Sequence, residues 1–381
     1  MPDAHSKRTN TKVHNSMNSE SSELILTPSD YTLSKFDRLA QVRREIMEKT
    51  ALEDDAVSFS PRAMVYCGLP YKKPMVQQAD GTKTPAMLYE RKFSRVYMRI
   101  GTLAPEVGLP YGGMARLILS YITQAAVRRG VRTICLADNI GDMLRQFGID
   151  KVTGGSRGTI TTLRNQLIRL RYSTFLVRWA EAGGAFPDGT IAPPDMYSER
   201  DTIFPIISDA SLWRKGNTSD ILGLEDETKF FLEISEDFFN EICNRPIPID
   251  MRAYRELLSS PMAMDVYVYL SYLSSYVKKP FELPWEVLRD QFRPGIARMA
   301  RFKADFTDAL KDVAMVYPKL KMELDDKGGL IIKPGSAPSV PRPSVAPALS
   351  AGPAPKPVKT KTEKAKKAKE EKAKNPSIAE K

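Results

Sequence analysis

The sequence predicts an α+β fold, mainly helical, in which one folded unit is stated twice between two polar tails. Three observations predict it. Leu119-Ser120-Tyr121 recurs as Leu270-Ser271-Tyr272, and each copy runs on to a valine, two basic residues and a helix breaker, Val127-Arg128-Arg129-Gly130 and Val277-Lys278-Lys279-Pro280. Each copy opens the same order of elements: helix, short strand, helix, helix, hairpin. That is the order of a winged helix-turn-helix. Composition also shifts abruptly toward both termini. The expectation is therefore two tandem winged helix-turn-helix domains with disordered N- and C-terminal tails.

Residues 1–30 are rich in Ser, Thr, Asn and charge, which predicts a disordered tail. Over 31–57, Leu33, Phe36, Leu39, Val42 and Ile46 recur at near-helical spacing, giving an amphipathic helix and linker. A first winged-helix domain is expected over 58–228. It begins with two strand-like runs, Ala63–Leu69 and Arg95–Leu103, joined by a polar excursion consistent with a hairpin. "GLPYGGMARLILSYITQAAVRRG" predicts a helix from about Met114 to Arg129, stopped by Gly130. "RTICLA" is a short strand, and Asp138 is placed to cap a helix through Phe147 that Gly148 ends. After "DKVTGGSRG" a third helix runs from about Thr159 to Arg171. "STFLVRW" and "TIFPIISDAS" then read as two strands across the polar loop "AGGAFPDGTIAPPD".

A second winged-helix domain is expected over 229–334. "KFFLEISEDFFNEICNRP" supplies a strand and a helix capped by Ser235, followed by "DMRAYRELLSS" and the long helix Met262–Val277. "FELP" is the short strand and "PWEVLRDQF" the second helix. "IARMARFKADFTDALKDV" is the third, and "KLKMELDDKGGLIIKP" is a hairpin turning at Asp-Lys-Gly-Gly. Residues 335–381 form a Pro/Ala-rich and then Lys-rich tail.

Composition narrows the chemistry. No run of about 18 apolar residues exists to span a bilayer, and the polar N-terminus lacks the apolar core of a secretory signal. Cys67, Cys135 and Cys243 lie far apart among apolar residues and read as buried free thiols of a cytosolic protein. The formal charge of +11 invites a polyanion, but the ten Lys and four Glu of residues 356–381 supply six of those charges. The only histidines, His5 and His14, fall in the N-terminal tail. A core without histidine runs no Ser-His-Asp or Cys-His mechanism and offers no imidazole to a metal. It also lacks the paired histidines of a rolling-circle nickase and the histidine of a tyrosine recombinase. An all-carboxylate metal nuclease stays open, although nothing in the acidic spacing suggests one. No cofactor is implied. Trp179, Trp213 and Trp285 read as anchors of cores and strand ends.

What remains is DNA recognition by the third helix of each unit, which needs an apolar face for its core and donors opposite. In the first unit Ile160, Leu163, Leu167 and Leu170 share one face. Thr161, Asn165 and Arg169 point away from it, with Thr162 and Arg164 on the flanks. Asn pairs with adenine and Arg with guanine or phosphate. Gly154-Gly155-Ser156-Arg157-Gly158 resembles a phosphate-cradling turn with Arg157 beside it; a plain flexible turn fits the same residues. In the second unit Met299, Phe302, Phe306, Leu310 and Val313 form the apolar face. Arg301 and Thr307 project away, with Arg298 and Lys303 on the flanks. Asp305, Asp308 and Asp312 would repel phosphates if they faced the DNA backbone, which argues for contact through the N-terminal half of that helix only. Lys327 in the wing could reach a phosphate. An ordinary amphipathic helix with solvated arginines is the competing reading at both places.

From about Ser60 to Lys333 the chain carries "PRAMVYCGLP", "EVGLPYGGMARLILSYITQAAV", "LRQFGIDKVTGGSRGTITTLRNQLIRL", "LEISEDFFNEICNRPIPIDMRAYRELLSSPMAMDVYVYLSYL", "PWEVLRDQF" and "RFKADFTDALKDVAMVYPKLKME" in that order. In these phrases it resembles the plasmid-encoded RepA replication initiator family. The resemblance implies a tandem winged-helix initiator that binds directly repeated sites in double-stranded origin DNA, helps open the duplex and recruits the host helicase and replication proteins. It also implies a homodimer in equilibrium with a monomer, the dimer contact lying in the first unit, and a bacterial, plasmid-encoded protein of the cytoplasm with no membrane partner. The expectation is a DNA-binding protein, not an enzyme. A winged-helix transcriptional repressor is the alternative, and a DNA-nicking enzyme a more distant one.

Overall fold

Glycine, proline and short polar caps set several of the helix ends. The computed structural model describes residues 22–23, 32–137, 140–149, 152–182, 197–214 and 228–340. Within the stretch expected as an N-terminal tail, Ser22–Glu23 form a two-residue strand, β1; the remainder of residues 1–31 lies outside the described residues. Helix α1 (Leu33–Glu48) buries Leu39, Val42 and Ile46, as their spacing requires.

After β2 (Val57–Ser60) comes a correction. Ala63–Leu69, expected as a strand, holds the short helix α2 (Arg62–Tyr66). Ala63, Val65 and Cys67 are buried between half-buried neighbours, which mimics the two-residue period of a strand. Pro61 fixes φ at −56° at the N-cap and starts a helical turn instead. The polar excursion forms its own hairpin, β3 (Met75–Gln77) with β4 (Lys83–Pro85). The strand expected at Arg95–Leu103 is β6 (Val96–Thr102), and its hairpin partner is β5 (Leu88–Phe93).

Helix α3 (Gly112–Arg129) ends at Gly130, whose φ of 64° needs a residue without Cβ strain and whose N–H donates to the Ala126 carbonyl. β7 (Thr133–Ala137) and α4 (Ile140–Gln146) follow; the expected cap Asp138 lies outside the described residues. α5 (Thr159–Arg171) has the bounds its sequence predicts. β8 (Ser173–Ala182) follows, and "TIFPIISDAS" divides between β9 (Tyr197–Pro205) and β10 (Ile207–Arg214). β11 (Thr228–Ile234) leads to α6 (Glu236–Cys243), where Ser235 accepts from the Phe238 N–H as expected. Then come β12 (Ile247–Asp250), α7 (Met251–Glu256), a 3-10 turn at Leu257–Ser259 and α8 (Pro261–Ser274). β13 (Phe281–Pro284), α9 (Trp285–Phe292), α10 (Met299–Val316) and the hairpin of β14 (Met322–Asp325) with β15 (Gly329–Ile332) complete the order.

The strands make a mixed α/β fold of separate antiparallel sheets. One runs β5-β6-β8-β9 and another β1-β14-β15-β13. β7 does not join the β8–β9 hairpin; it pairs with β11 in the order β10-β11-β7. The boundary expected between 228 and 229 thus falls at the start of a strand paired on both sides. The described residues fall within one compact unit. The two repeats share one apolar cluster, and β12 of the second pairs with β2 of the first. The repeated phrase lies inside this joint. Arg116 of α3 and Asp265 of α8 form a buried ion pair, and Tyr66 of α2 donates to the Tyr272 hydroxyl at 3.0 Å. The C-terminal tail expected from 335 begins later, because Ser336 and Val340 are buried and Tyr317 donates to the Ala337 carbonyl. Of the three expected buried thiols only Cys67 is buried; Cys135 is half-buried and Cys243 exposed.

Candidate nucleic-acid interface

Two helix pairs offer exposed donors, α4–α5 and α9–α10. The turn into α5 is tied by reciprocal bonds. The Thr153 N–H donates to Thr159 Oγ1 at 2.9 Å, and the Thr159 N–H to Thr153 Oγ1 at 3.0 Å. Gly155 takes φ 81°, and a Cβ on Gly158 would sit 2.3 Å from the Thr153 and Gly154 carbonyls, so both positions demand glycine. Thr161 donates its hydroxyl to the Gly155 carbonyl and Thr162 to that of Gly158. These hydroxyls order the turn, and each oxygen keeps acceptor capacity. Arg157 at the tip and Asn165 one turn into the helix are exposed, while Arg164 is half-buried.

Arg169 departs from its expected outward placement. It is 9% exposed, stacks its guanidinium 5.3 Å from the centre of the Tyr111 ring and donates to the Leu109 carbonyl at 3.3 Å. Burial lowers its pKa. The segment before α3 folds over this end of α5, which a helical wheel does not register. Arg169→Ala is therefore expected to cost about 1–2 kcal/mol of stability with DNA affinity unchanged once the fraction folded is corrected for. Thermal denaturation beside a DNA titration reads both.

In the second unit Phe302, Phe306, Leu310 and Val313 of α10 are fully buried, and Trp285 of α9 packs edge-on against Phe302 and Phe306 at 6.2 and 5.9 Å. Trp285 is thus a core anchor, with its indole N–H donating to the Asp325 carbonyl at the end of β14. Trp179 is half-buried beneath the Arg62 guanidinium, and the side chain of Trp213 lies outside the described residues. Arg298 occupies the N-cap of α10 and is exposed. Arg301 is 70% exposed, with Nε 3.0 Å from Asp305 Oδ1. Lys303 lies 4.9 Å from the Trp285 ring centre and donates to the Asp326 carbonyl, bracing the β14–β15 turn against the helix. Thr307 is half-buried, and Lys327 is exposed at the β14–β15 turn, its backbone N–H held by Asp325 Oδ1.

The three acidic residues of α10 divide. Asp312 is buried and paired with Lys35 of α1 at 2.7 Å; burial raises its pKa against that cation's pull. Asp305 accepts from both Arg301 and Arg293. Only Asp308 is exposed. Positive side chains gather at the start of α10. Arg293, in the turn before α10, belongs to this group and was missed. Its signal is the basic residue heading Arg293-Pro294-Gly295, where Gly295 takes φ 86°. A separate cleft of about 260 Å³, lined by Arg62, Trp179, Arg200, Asp237 and Glu241 among others, mixes charges of both signs.

The α3–β7–α4–α5 run, with its glycine turn, can be set against known families. Residues 109–282 match the family of the plasmid-encoded RepA protein. The match opens at Leu109, just before α3, takes in α5 and closes in β13, so α9, α10 and the β14–β15 hairpin lie beyond it. Among solved structures, the crystal structure of selenomethionine derivatives of domain 2 and domain 3 of RctB is similar, at 13% identity and TM-score 0.47, over 72% of this chain and 99% of that one. A second structure of RctB domains 2-3 gives 15% identity and TM-score 0.39, over 69% and 89%. No curated protein matches. Among the described residues no helix is long and apolar enough to cross a membrane.

Proposed function

We propose that this chain is a plasmid replication initiator that binds directly repeated origin DNA through two winged helices, without an enzymatic step of its own. The observation that carries the reading is the α9–turn–α10 unit backed by the β14-β15-β13 sheet. It sets Arg293, Arg298 and Arg301 at the start of α10, with Lys327 on the wing. The similarity of residues 109–282 to plasmid-encoded RepA supports the biological setting. In this reading Arg298, Lys303 and Lys327 meet phosphates and fix register, and Arg301 and Thr307 reach base edges. On the first unit Arg157, Thr161, Thr162, Arg164 and Asn165 take the corresponding roles. Arg169 takes none. Several copies bent around adjacent repeats help open the duplex, and host helicase and other replication proteins are recruited to it. The chain works in the bacterial cytoplasm, as a monomer in equilibrium with a homodimer.

Two measurements test this reading. Lysines of residues 356–381 add contacts that do not read sequence, so deleting that segment is expected to reduce the salt dependence of binding and leave the protected DNA unchanged. Loss of protection would make the tail part of the specific site. Supercoiled origin DNA incubated with the protein and a divalent cation is expected to stay uncut; nicking would establish an enzyme.

A further inference from the structure

Arg91 lies on β5 in the first unit, yet its guanidinium reaches the second. Nη2 donates to the Gln291 carbonyl in the last turn of α9, and Nη1 to the Tyr89 hydroxyl at 3.2 Å. From the other side Gln291 Nε2 donates to the Val65 carbonyl of α2 at 3.0 Å. Both side chains are buried, Arg91 at 8% and Gln291 at 2% exposure. Two elements of the first unit therefore grip the end of α9, just before the turn that aims α10. The cation also sits at the negative pole of that helix.

Among the described residues, Arg91 Nε and Gln291 Oε1 find no hydrogen-bond partner. An apolar pair of similar volume would avoid that desolvation cost. The connection also continues in the opposite direction. β5 pairs with β6, β6 with β8, and β8 begins directly after the end of α5. One sheet thus holds the ends of both helices that precede or form the candidate reading surfaces.

We infer that Arg91 is a positioning residue that sets α10 relative to α5, so that both units contact one DNA duplex at once. The inference rests on the DNA-binding reading proposed above. Two linked contacts bind more tightly than either alone only where geometry lets both engage together. Losing the register should therefore weaken binding to a complete site and spare binding to part of it.

The test compares Arg91→Met with the wild type on two duplexes, one bearing the full protected region and one cut back to the part covered by the second unit. The expected result is about ten-fold weaker binding to the full duplex and unchanged binding to the short one. Arg91→Lys, which can still donate to the carbonyl, recovers part of the loss. Equal weakening on both duplexes would overturn the inference and make Arg91 a local prop of α10; unchanged binding on both would overturn it too. If Arg91→Met does not fold by its melting curve, Arg91→Gln is held to the same comparison. A wild-type chain that protects no DNA refutes the DNA-binding reading itself. That outcome is distinct from a wild type that binds while the variants fail to separate the two duplexes.

Discussion

Asp265→Ala lowers the stability of the folded unit by about 3–5 kcal/mol. The effect is this large because the substitution strands a buried cation. Arg116 Nε and Nη2 meet the two Asp265 oxygens at 2.7 and 2.8 Å, and the Arg116 side chain is 3% exposed. Its other donors reach the Leu69, Pro70 and Gly112 carbonyls, and the guanidinium lies 5.1 Å from the centre of the Tyr71 ring. Burial works against the charge on Arg116, and Asp265 more than offsets it. The pair is closely packed, since a Cβ on Gly68 would lie 2.2 Å from Asp265 Oδ2. Because α3 and α8 come from different repeats, the same change loosens the joint between the two units. Urea unfolding measures the loss; a change under about 1 kcal/mol would mean that the pair contributes no more than a surface ion pair does.

Arg301→Ala has the largest expected effect on recognition. It weakens specific DNA binding by about 1–3 kcal/mol if Arg301 reads a base. Stability should move by no more than about 0.5 kcal/mol, because the side chain is 70% exposed and its partner Asp305 keeps Arg293. That split between binding and stability separates recognition from folding. A titration of the variant against its site and against a scrambled duplex gives the measurement. Unchanged affinity with an unchanged protected region would remove Arg301 from the reading surface.

The local elements were legible because local chemistry sets them. Gly130 and Ser235 end and begin helices as their residue types require, and the apolar spacing of α5 and α10 gave both helices. Legibility failed where a distant segment decides. Arg169 shares a wheel position with Thr161 and Asn165, yet Leu109 and Tyr111 cover it. Asp312 looked like a repelling surface acid, yet Lys35 of α1 pairs with it in the core. Arg116 and Asp265 are 149 positions apart, and Arg91 and Gln291 200, so no spacing rule connects them. The strand expected over Ala63–Leu69 failed for another reason: a short helix over a close-packed floor buries alternate residues, and Pro61 carried the deciding signal. The repeated Leu-Ser-Tyr phrase pointed to a duplicated order of elements. The structure adds that both copies lie in the joint between the units, on α3 and α8, away from the candidate reading surfaces.

The most direct test is a hydroxyl-radical footprint of the full chain on the DNA flanking its gene. The account predicts several directly repeated sites, each protected over two successive stretches of groove, one for each unit. Protection of a single inverted repeat would contradict it and favour a dimeric repressor, and no protection at low salt would remove the DNA-binding reading altogether.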